Sequence, residues 1–469
     1  MTLFAFSPSY SFTRIMIKFS EPIRDSHVAV LAFFPVGAHA GPLLAVTRRL
    51  AAAAPSTIFS FFNTARSNAS LFSDAEHPEN IRVHDVADGV PEGTMLTGSP
   101  LEMLELFLEA APRNFRREMA AAETEVGKKV TSMLTDAFFW FAADMAAEMK
   151  ATWVAFWAGG ANSLCAHLYT DLIRETIGVK DVRMEETLGF IPGMENYRVK
   201  DIPEEVIYED LDSVFPKALY QMSLALPRAS AVFISSFEEL EPTLTHNLRS
   251  KLKRFLNIAP LTLFSSTSTL VRDPHGCLAW MGKRSPASVA YISFGTVMEP
   301  PPVELVAIAQ GLESSKVPFV WSLKEKNMVH LPKGFLDRTR EQGIVVPWAP
   351  QVELLKHEAT GVNVTHCGWN SVLESVSAGV PMIGRPILAD NRLNGRAVEV
   401  VWKVGMMMDN GVFTKEGFEK CLHQVLVHDD GKSMRANAKK LKEKLHEDVS
   451  TKGSSFENFK VLLDEIVKV

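Results

Sequence analysis

Short apolar runs recur along this chain, each ending in a turn that carries polar residues, with stretches long enough for a helix between them. Residues 27–34 (HVAVLAFF) form the first. A continuous apolar run with β-branched members reads as a strand buried inside a parallel sheet, not one with a solvated face. The next residues, Pro35 to His39, read as a loop. A helix is expected from Pro42, because a first turn leaves unpaired the N–H that proline lacks. Similar runs follow at 57–62, 81–84, 130–135, 153–156 and 231–235. A second series occupies 288–294, 318–323, 344–346, 362–365 and 382–384, with helical spacing over 302–315. This alternation predicts an α/β chain with mainly parallel sheets. At 469 residues it exceeds one ordinary core, so two domains of the same kind are expected.

The boundaries follow from composition. Residues 1–20 hold Phe4, Phe6, Phe12, Arg14 and Lys18 but no acid. They faintly resemble a transit peptide and are read as a disordered extension. A first domain is expected over 21–256, a linker over the Ser/Thr/Leu-rich 257–275, and a second domain over 276–450. Residues 451–469 end in an amphipathic segment expected to cross back to the first domain. The apolar stripe Ala438, Leu441, Leu445 marks a late helix.

Several function classes drop out. A net charge of −6 without a basic stripe gives no nucleic-acid footprint. No apolar run suits a membrane span. Cys165, Cys277, Cys367 and Cys421 stand far apart with no CxxC pair. That excludes a zinc knuckle or disulfide framework and fits a cytoplasmic protein.

Ligands of open parallel sheets sit at the carboxyl ends of strands, and the candidate residues lie there. His39 follows the first run, and a neutral imidazole there suits proton abstraction from a hydroxyl. Asp136 ends another run; a carboxylate behind an imidazole fixes its tautomer and stabilises the imidazolium. Ser293 to Thr296 (SFGT) offers donors to a phosphate. His366-Cys367-Gly368-Trp369-Asn370-Ser371 follows a strand and opens a helix, the arrangement that binds phosphate through free N–H groups and the helix dipole. His366 adds a charge or a donor. Glu374, one turn further, suits ribose hydroxyls. Trp348, beside Ala349, Pro350 and Gln351, offers a flat face to a base. Adjacent His and Cys lack the second ligand pair a metal needs.

The stretch from Trp348 to Asn391 resembles, without a gap, the signature box of the plant secondary-product UDP-glycosyltransferases. Leu-Thr-Asp-Ala-Phe around Asp136 and Tyr-Ile-Ser-Phe-Gly-Thr before Val297 resemble its flavonoid 3-O-glycosyltransferase branch. The resemblance runs from about His27 to the C-terminus. It implies a GT-B fold, with two facing Rossmann-like domains and the active site in the cleft. It also implies an inverting, metal-independent transfer with no cofactor beyond the UDP-sugar co-substrate, in a monomer. By position, His39 would be the base and Asp136 its partner. Trp348 would stack on uracil, with Ala349 and Gln351 nearby. Thr296, His366, Asn370 and Ser371 would hold the diphosphate, and Glu374 the ribose. Trp369, Asp390 and Asn391 would meet the sugar. The flavonol acceptor would lie near His39, Leu101, Phe138, His167 and the loop in the 190s, with Leu388 reaching across.

Departures from the branch bear on the sugar. The box ends Asp390-Asn391 where glucosyltransferases of the branch usually have Asp-Gln. Ile387-Leu388-Ala389 replaces Phe-Phe-Gly. Ala158 stands where a threonine usually meets the glucose 6-hydroxyl. A methyl there leaves no polar group unpaired against a 6-deoxy sugar. The residues alone indicate a donor other than ordinary glucose, and the resemblance implies UDP-rhamnose. UDP-glucose with the same acceptors is the alternative; a non-catalytic UDP-sugar or flavonoid binder is the alternative of another class.

Overall fold

The computed structural model describes residues 26–33, 37–73, 77–91, 100–179, 183–207, 210–260, 272–296 and 299–467. The 1–20 extension lies outside them. The first sheet contains β1 (His27–Leu31), β2 (Ile58–Asn63), β3 (Ile81–Asp85), β4 (Ser132–Asp136), β5 (Thr152–Trp157), β6 (Ala231–Ser235) and β7 (Phe255–Ile258). The second contains β8 (Val289–Ser293), β9 (Phe319–Ser322), β10 (Gly343–Val346), β11 (Thr360–Thr365), β12 (Met382–Gly384) and β13 (Gly405–Met407). Every pairing between these strands is parallel. The helices used below are α1 (Gly37–Ala53), α2 (Pro100–Val126), α3 (Ala161–Leu168), α4 (Pro242–Lys251), α5 (Pro302–Ser315), α6 (Gln351–Lys356), α7 (Trp369–Ala378), α8 (Asn391–Arg396), α9 (Asp429–Asp448) and α10 (Ser454–Val467).

Strand order sets where ligands can bind. The first sheet runs β3-β2-β1-β4-β5-β6-β7 and the second β10-β9-β8-β11-β12-β13. Each reverses direction once, between β1 and β4 and between β8 and β11. At such a switch the connections leave to opposite faces and open a crevice beyond the strand ends. The register brings the two strand ends level. Leu31 pairs with Thr135 in the first sheet, and Ser293 with Thr365 in the second. This is the two-domain α/β architecture expected.

The differences lie at the edges. Both β7 and β13 escape the sequence reading, being four and three residues long. β7 occupies the first residues assigned to the linker, and most of the rest of that linker lies outside the described residues. Helix α1 starts at Gly37, five residues before the expected start, so Pro42 sits inside it and forgoes one helical hydrogen bond.

The core is continuous between the domains. One apolar cluster holds Phe107, Phe139, Trp157 and Leu164 of the first half together with Trp369, Leu393 and Trp402 of the second. Helix α10 crosses back. It buries Phe459, Leu462, Leu463 and Ile466 against Val28, Phe59, Val154 and Phe233 beneath the first sheet. Asn458 Nδ2 pins it to the Asn257 carbonyl at 2.8 Å. Among the described residues no helix is long and apolar enough to cross a membrane.

Leu463 is fully buried against the first sheet although it lies near the chain end. Truncation to Ala should cost about 2–5 kcal/mol, read as a lower denaturant midpoint. An unchanged midpoint would mean that α10 does not support that sheet.

Candidate active site

The crevice of the first sheet holds the acid–base pair. His39 Nδ1 lies 2.8 Å from Asp136 Oδ2, and the Phe138 N–H donates to Asp136 Oδ1 at 3.0 Å. His39 was expected on a loop; it is the third residue of α1 instead, which gives its ring a rigid mount. Asp136 is sealed, with its side chain 1% exposed against 16% for His39. A carboxylate accepting at both oxygens leaves the ring hydrogen on Nδ1 and the lone pair on Nε2.

Aromatic side chains wall this pair. Phe33 and Phe138 place ring centroids 5.1 and 4.9 Å from His39. Phe138 also meets Trp157 at 5.6 Å and Phe215 at 6.1 Å. Phe33, Trp157 and Phe215 were not among the sequence candidates. Phe33 was hidden within an apolar run, and Phe215 carries no local signal. His167 sits behind Trp157 at 5.4 Å, and burial lowers its pKa to about 4, so it stays neutral. Leu101 falls in the first turn of α2; its side chain lies outside the described residues.

The second sheet supplies the other wall. Trp348 follows β10 and is 50% exposed. Ala349 beside it is buried, and Gln351 opens α6. Gln351 Nε2 donates to Glu374 Oε2 at 2.6 Å, while the Tyr291 hydroxyl reaches Gln351 Oε1 at 3.1 Å. Burial raises the Glu374 carboxyl to about 7. Tyr291 was missed because, in β8, it reads as one more strand aromatic.

At the sheet's switch point, Thr296 is exposed after β8, and its carbonyl accepts from Lys324 Nζ at 2.8 Å. His366 follows β11. Its Nδ1 is buried without a hydrogen-bond partner among the described residues. Burial lowers its pKa to about 4, which removes the charged option and leaves a neutral donor or acceptor. Gly295 has φ +77°, and a Cβ there would stand 2.8 Å from His366 Cε1. Asn370 and Ser371 follow in the first turn of α7. The Ser371 hydroxyl is taken up by Thr365 Oγ1 at 3.1 Å and Asn363 Nδ2 at 3.3 Å. It therefore offers the crevice its backbone N–H. Trp369 is 4% exposed, and its indole donates to the Ser235 carbonyl across the domain interface at 2.9 Å.

The two walls meet at Gly159 and Asp390. A Cβ on Gly159, next to Ala158, would stand 3.0 Å from Asp390 Oδ2. Burial raises the Asp390 carboxyl, and the nearby His39 opposes that shift. Asn391 is 5% exposed. Its amide, turned to satisfy its neighbours, donates to the carbonyls of Leu388 at 3.0 Å and His366 at 3.3 Å. Leu388 stands 42% exposed at the corner, and Ala389 takes φ +51° to make the turn. Among the described residues no three His, Cys, Asp or Glu side chains converge as a metal set.

A cleft between the carboxyl edges of two such domains is where GT-B glycosyltransferases bring a nucleotide-sugar against an acceptor, and this chain is of that class. It belongs to the family described as UDP-glucoronosyl and UDP-glucosyl transferase, whose profile matches residues 37–455. It is 90% identical over 455 residues to a flavonol-3-O-rhamnosyltransferase of Arabidopsis thaliana, covering 97% of this chain and 100% of that one. A flavonol 3-O-glucosyltransferase of the same plant is 73% identical over 97% of this chain and 100% of its own length. A solved UDP-glucose: anthocyanidin 3-O-glucosyltransferase in complex with UDP superposes with a TM-score of 0.90 at 41% identity, covering 95% of this chain and 99% of that one.

An acid whose pKa is raised in the folded state stabilises that state below its unfolded pKa, and the contribution is lost as pH rises through the folded value. For Glu374 the window runs from the ordinary carboxylate range up to about 7. Glu374→Gln should therefore gain stability relative to wild type across that window, reaching about 3 kcal/mol above it. Denaturant midpoints measured against pH check this, and a pH-independent difference would contradict the raised pKa.

Proposed function

We propose that this chain transfers rhamnose from UDP-rhamnose to the 3-hydroxyl of flavonols such as kaempferol and quercetin, with inversion and without a metal. The observation that carries the chemistry is the His39–Asp136 pair, mounted on α1 and β4 and walled by aromatic rings. His39 Nε2 takes the flavonol proton while Asp136 stabilises the imidazolium. The flavonol oxygen forms its bond to the anomeric carbon from the face opposite UDP. The bond from that carbon to the diphosphate breaks, and its electron pair leaves with UDP.

The donor lies along the second sheet. Trp348 stacks on uracil beside Ala349 and Gln351, and Glu374 takes the ribose. Thr296, His366, Asn370 and Ser371 hold the diphosphate, where N–H groups at the start of α7 stabilise the charge on the leaving group. Trp369 contributes through its backbone, since its indole is engaged at the interface. Asp390, Asn391 and Ala158 face the sugar. The flat, apolar surface of Phe138 and its neighbours suits a flavonol ring system, with His167 behind it and Leu388 at the rim; Leu101 is proposed as a further acceptor-side residue.

Support for a 6-deoxy sugar comes from Ala158. It adjoins the point where the first domain touches Asp390, and it offers a methyl where a hydroxyl would serve a 6-hydroxyl. The relative at 90% identity is named for rhamnose transfer.

Parallel kinetics with UDP-rhamnose and UDP-glucose on kaempferol test the donor. A preference of about 10²-fold or more in kcat/KM for UDP-rhamnose is expected; preference for UDP-glucose would overturn the reading. Asn391→Gln with Ala158→Thr should move that ratio toward glucose, by about tenfold. His39→Ala should abolish turnover and leave the Kd for UDP within about twofold, since a proton-transfer group contributes to rate and not to UDP affinity. Glycoside formation by that variant would remove His39 from the mechanism.

A further inference from the structure

A buried run of polar side chains joins the first domain to the phosphate turn of the second. Asn162, the second residue of α3, is 0% exposed. Its Nδ2 donates to the Tyr197 hydroxyl and to Asn394 Oδ1, both at 3.5 Å. Tyr197, 1% exposed, donates in turn to Glu241 Oε1 at 2.7 Å, at the start of α4. On the other side, Asn394 of α8 is 0% exposed. Its Nδ2 donates to the Cys367 carbonyl at 3.1 Å, and its backbone N–H donates to the Asp390 carbonyl at 3.0 Å. Three side chains, Tyr197, Asn162 and Asn394, thus connect Glu241 with the turn before α7.

The chemistry of the run gives it direction. Asn162 spends one N–H on each domain, and its Oδ1 accepts from the Ser163 N–H at 2.7 Å. Asn394 must then present oxygen to Asn162 and nitrogen to Cys367. No other orientation of that amide satisfies both neighbours. Buried polar groups cost free energy unless paired, so the pairing at Asn394 is complete only while the domains are docked. Cys367 adopts φ +65°, a conformation a non-glycine residue holds only when its surroundings enforce it. The bond from Asn394 to its carbonyl is one such restraint.

We propose that Asn394 is a positioning residue. Held from the first domain by Asn162 and Tyr197, its side chain fixes the Cys367 carbonyl, and so makes donor affinity depend on domain docking. The proposal rests on the reading that the turn from His366 to Ser371 holds the diphosphate. Asn162 and Tyr197 belong to the other domain and have no part in that cradle, so their influence on UDP affinity is the signature.

UDP titrated calorimetrically into the full chain provides the test. Asn394→Ala and Asn162→Ala should each raise the Kd for UDP about fivefold, and the double variant should be no weaker than the weaker single, because the residues act through one contact. The KM for kaempferol should stay within about twofold, since the strut ends on the donor side. An unchanged UDP Kd in either single variant, or a double variant equal to the product of the singles, overturns the proposal. Should the alanine variants fail to fold by circular dichroism, Tyr197→Phe removes a single oxygen and must still weaken UDP, by about twofold. If wild type itself does not bind UDP, the donor-site reading fails. If wild type binds and the variants match it, only the strut fails.

Discussion

The hydrogen bond between His39 Nδ1 and Asp136 Oδ2, 2.8 Å long, is the contact on which the rest of the site is organised. It joins the first turn of α1 to the end of β4, across the point where the strand order of the first sheet reverses. Neither residue would be useful without the topology. Helix α1 follows β1 and brings its third residue over the neighbouring strand end, and β4 ends with a carboxylate at that level. The second sheet repeats the geometry with different chemistry. Its switch point between β8 and β11 carries Thr296 and the turn from His366 into α7, a place suited to negative charge. The proposed reaction needs one domain to move a proton and the other to hold an anion.

Their relative position is set by contacts that tolerate little change. Trp369 and Trp402 each donate an indole N–H to a first-domain carbonyl, Ser235 and Leu240 respectively. A Cβ on Gly160 would stand 2.8 Å from Trp369 Cζ3, as one on Gly159 would approach Asp390. Two adjacent glycines thus let the loop after β5 close onto the second domain. The apolar cluster shared by both halves and the return of α10 beneath the first sheet make docking part of folding. The Asn162–Asn394 contact lies inside that interface.

Much of this was legible in the residues because strand-end chemistry and strand burial are local signals. The α5 and β12 boundaries coincide with the apolar spacing over 302–315 and 382–384. The pairing of His39 with Asp136 follows from two runs that end in complementary groups. Other features were not legible for physical reasons. β7 and β13 are too short to show periodicity. His39 was placed on a loop because Pro42 imitates a helix start, and a cost of one hydrogen bond inside α1 cannot be seen in sequence. The neutrality of His366 and the raised carboxyl of Glu374 come from burial by segments distant in the chain. Tyr197 and Asn162 carry no motif at all; their meaning arises only across the interface.

In the proposed reaction Asp136 holds His39 with its Nε2 lone pair toward the acceptor. Asp136→Asn preserves size and lets the side-chain amide favour the opposite ring tautomer. Steady-state kinetics of that variant with UDP-rhamnose and kaempferol, alongside calorimetry with UDP, test this role. A fall in kcat of about 10²-fold or more with the UDP Kd unchanged is expected. A variant that turns over at the wild-type rate would contradict it.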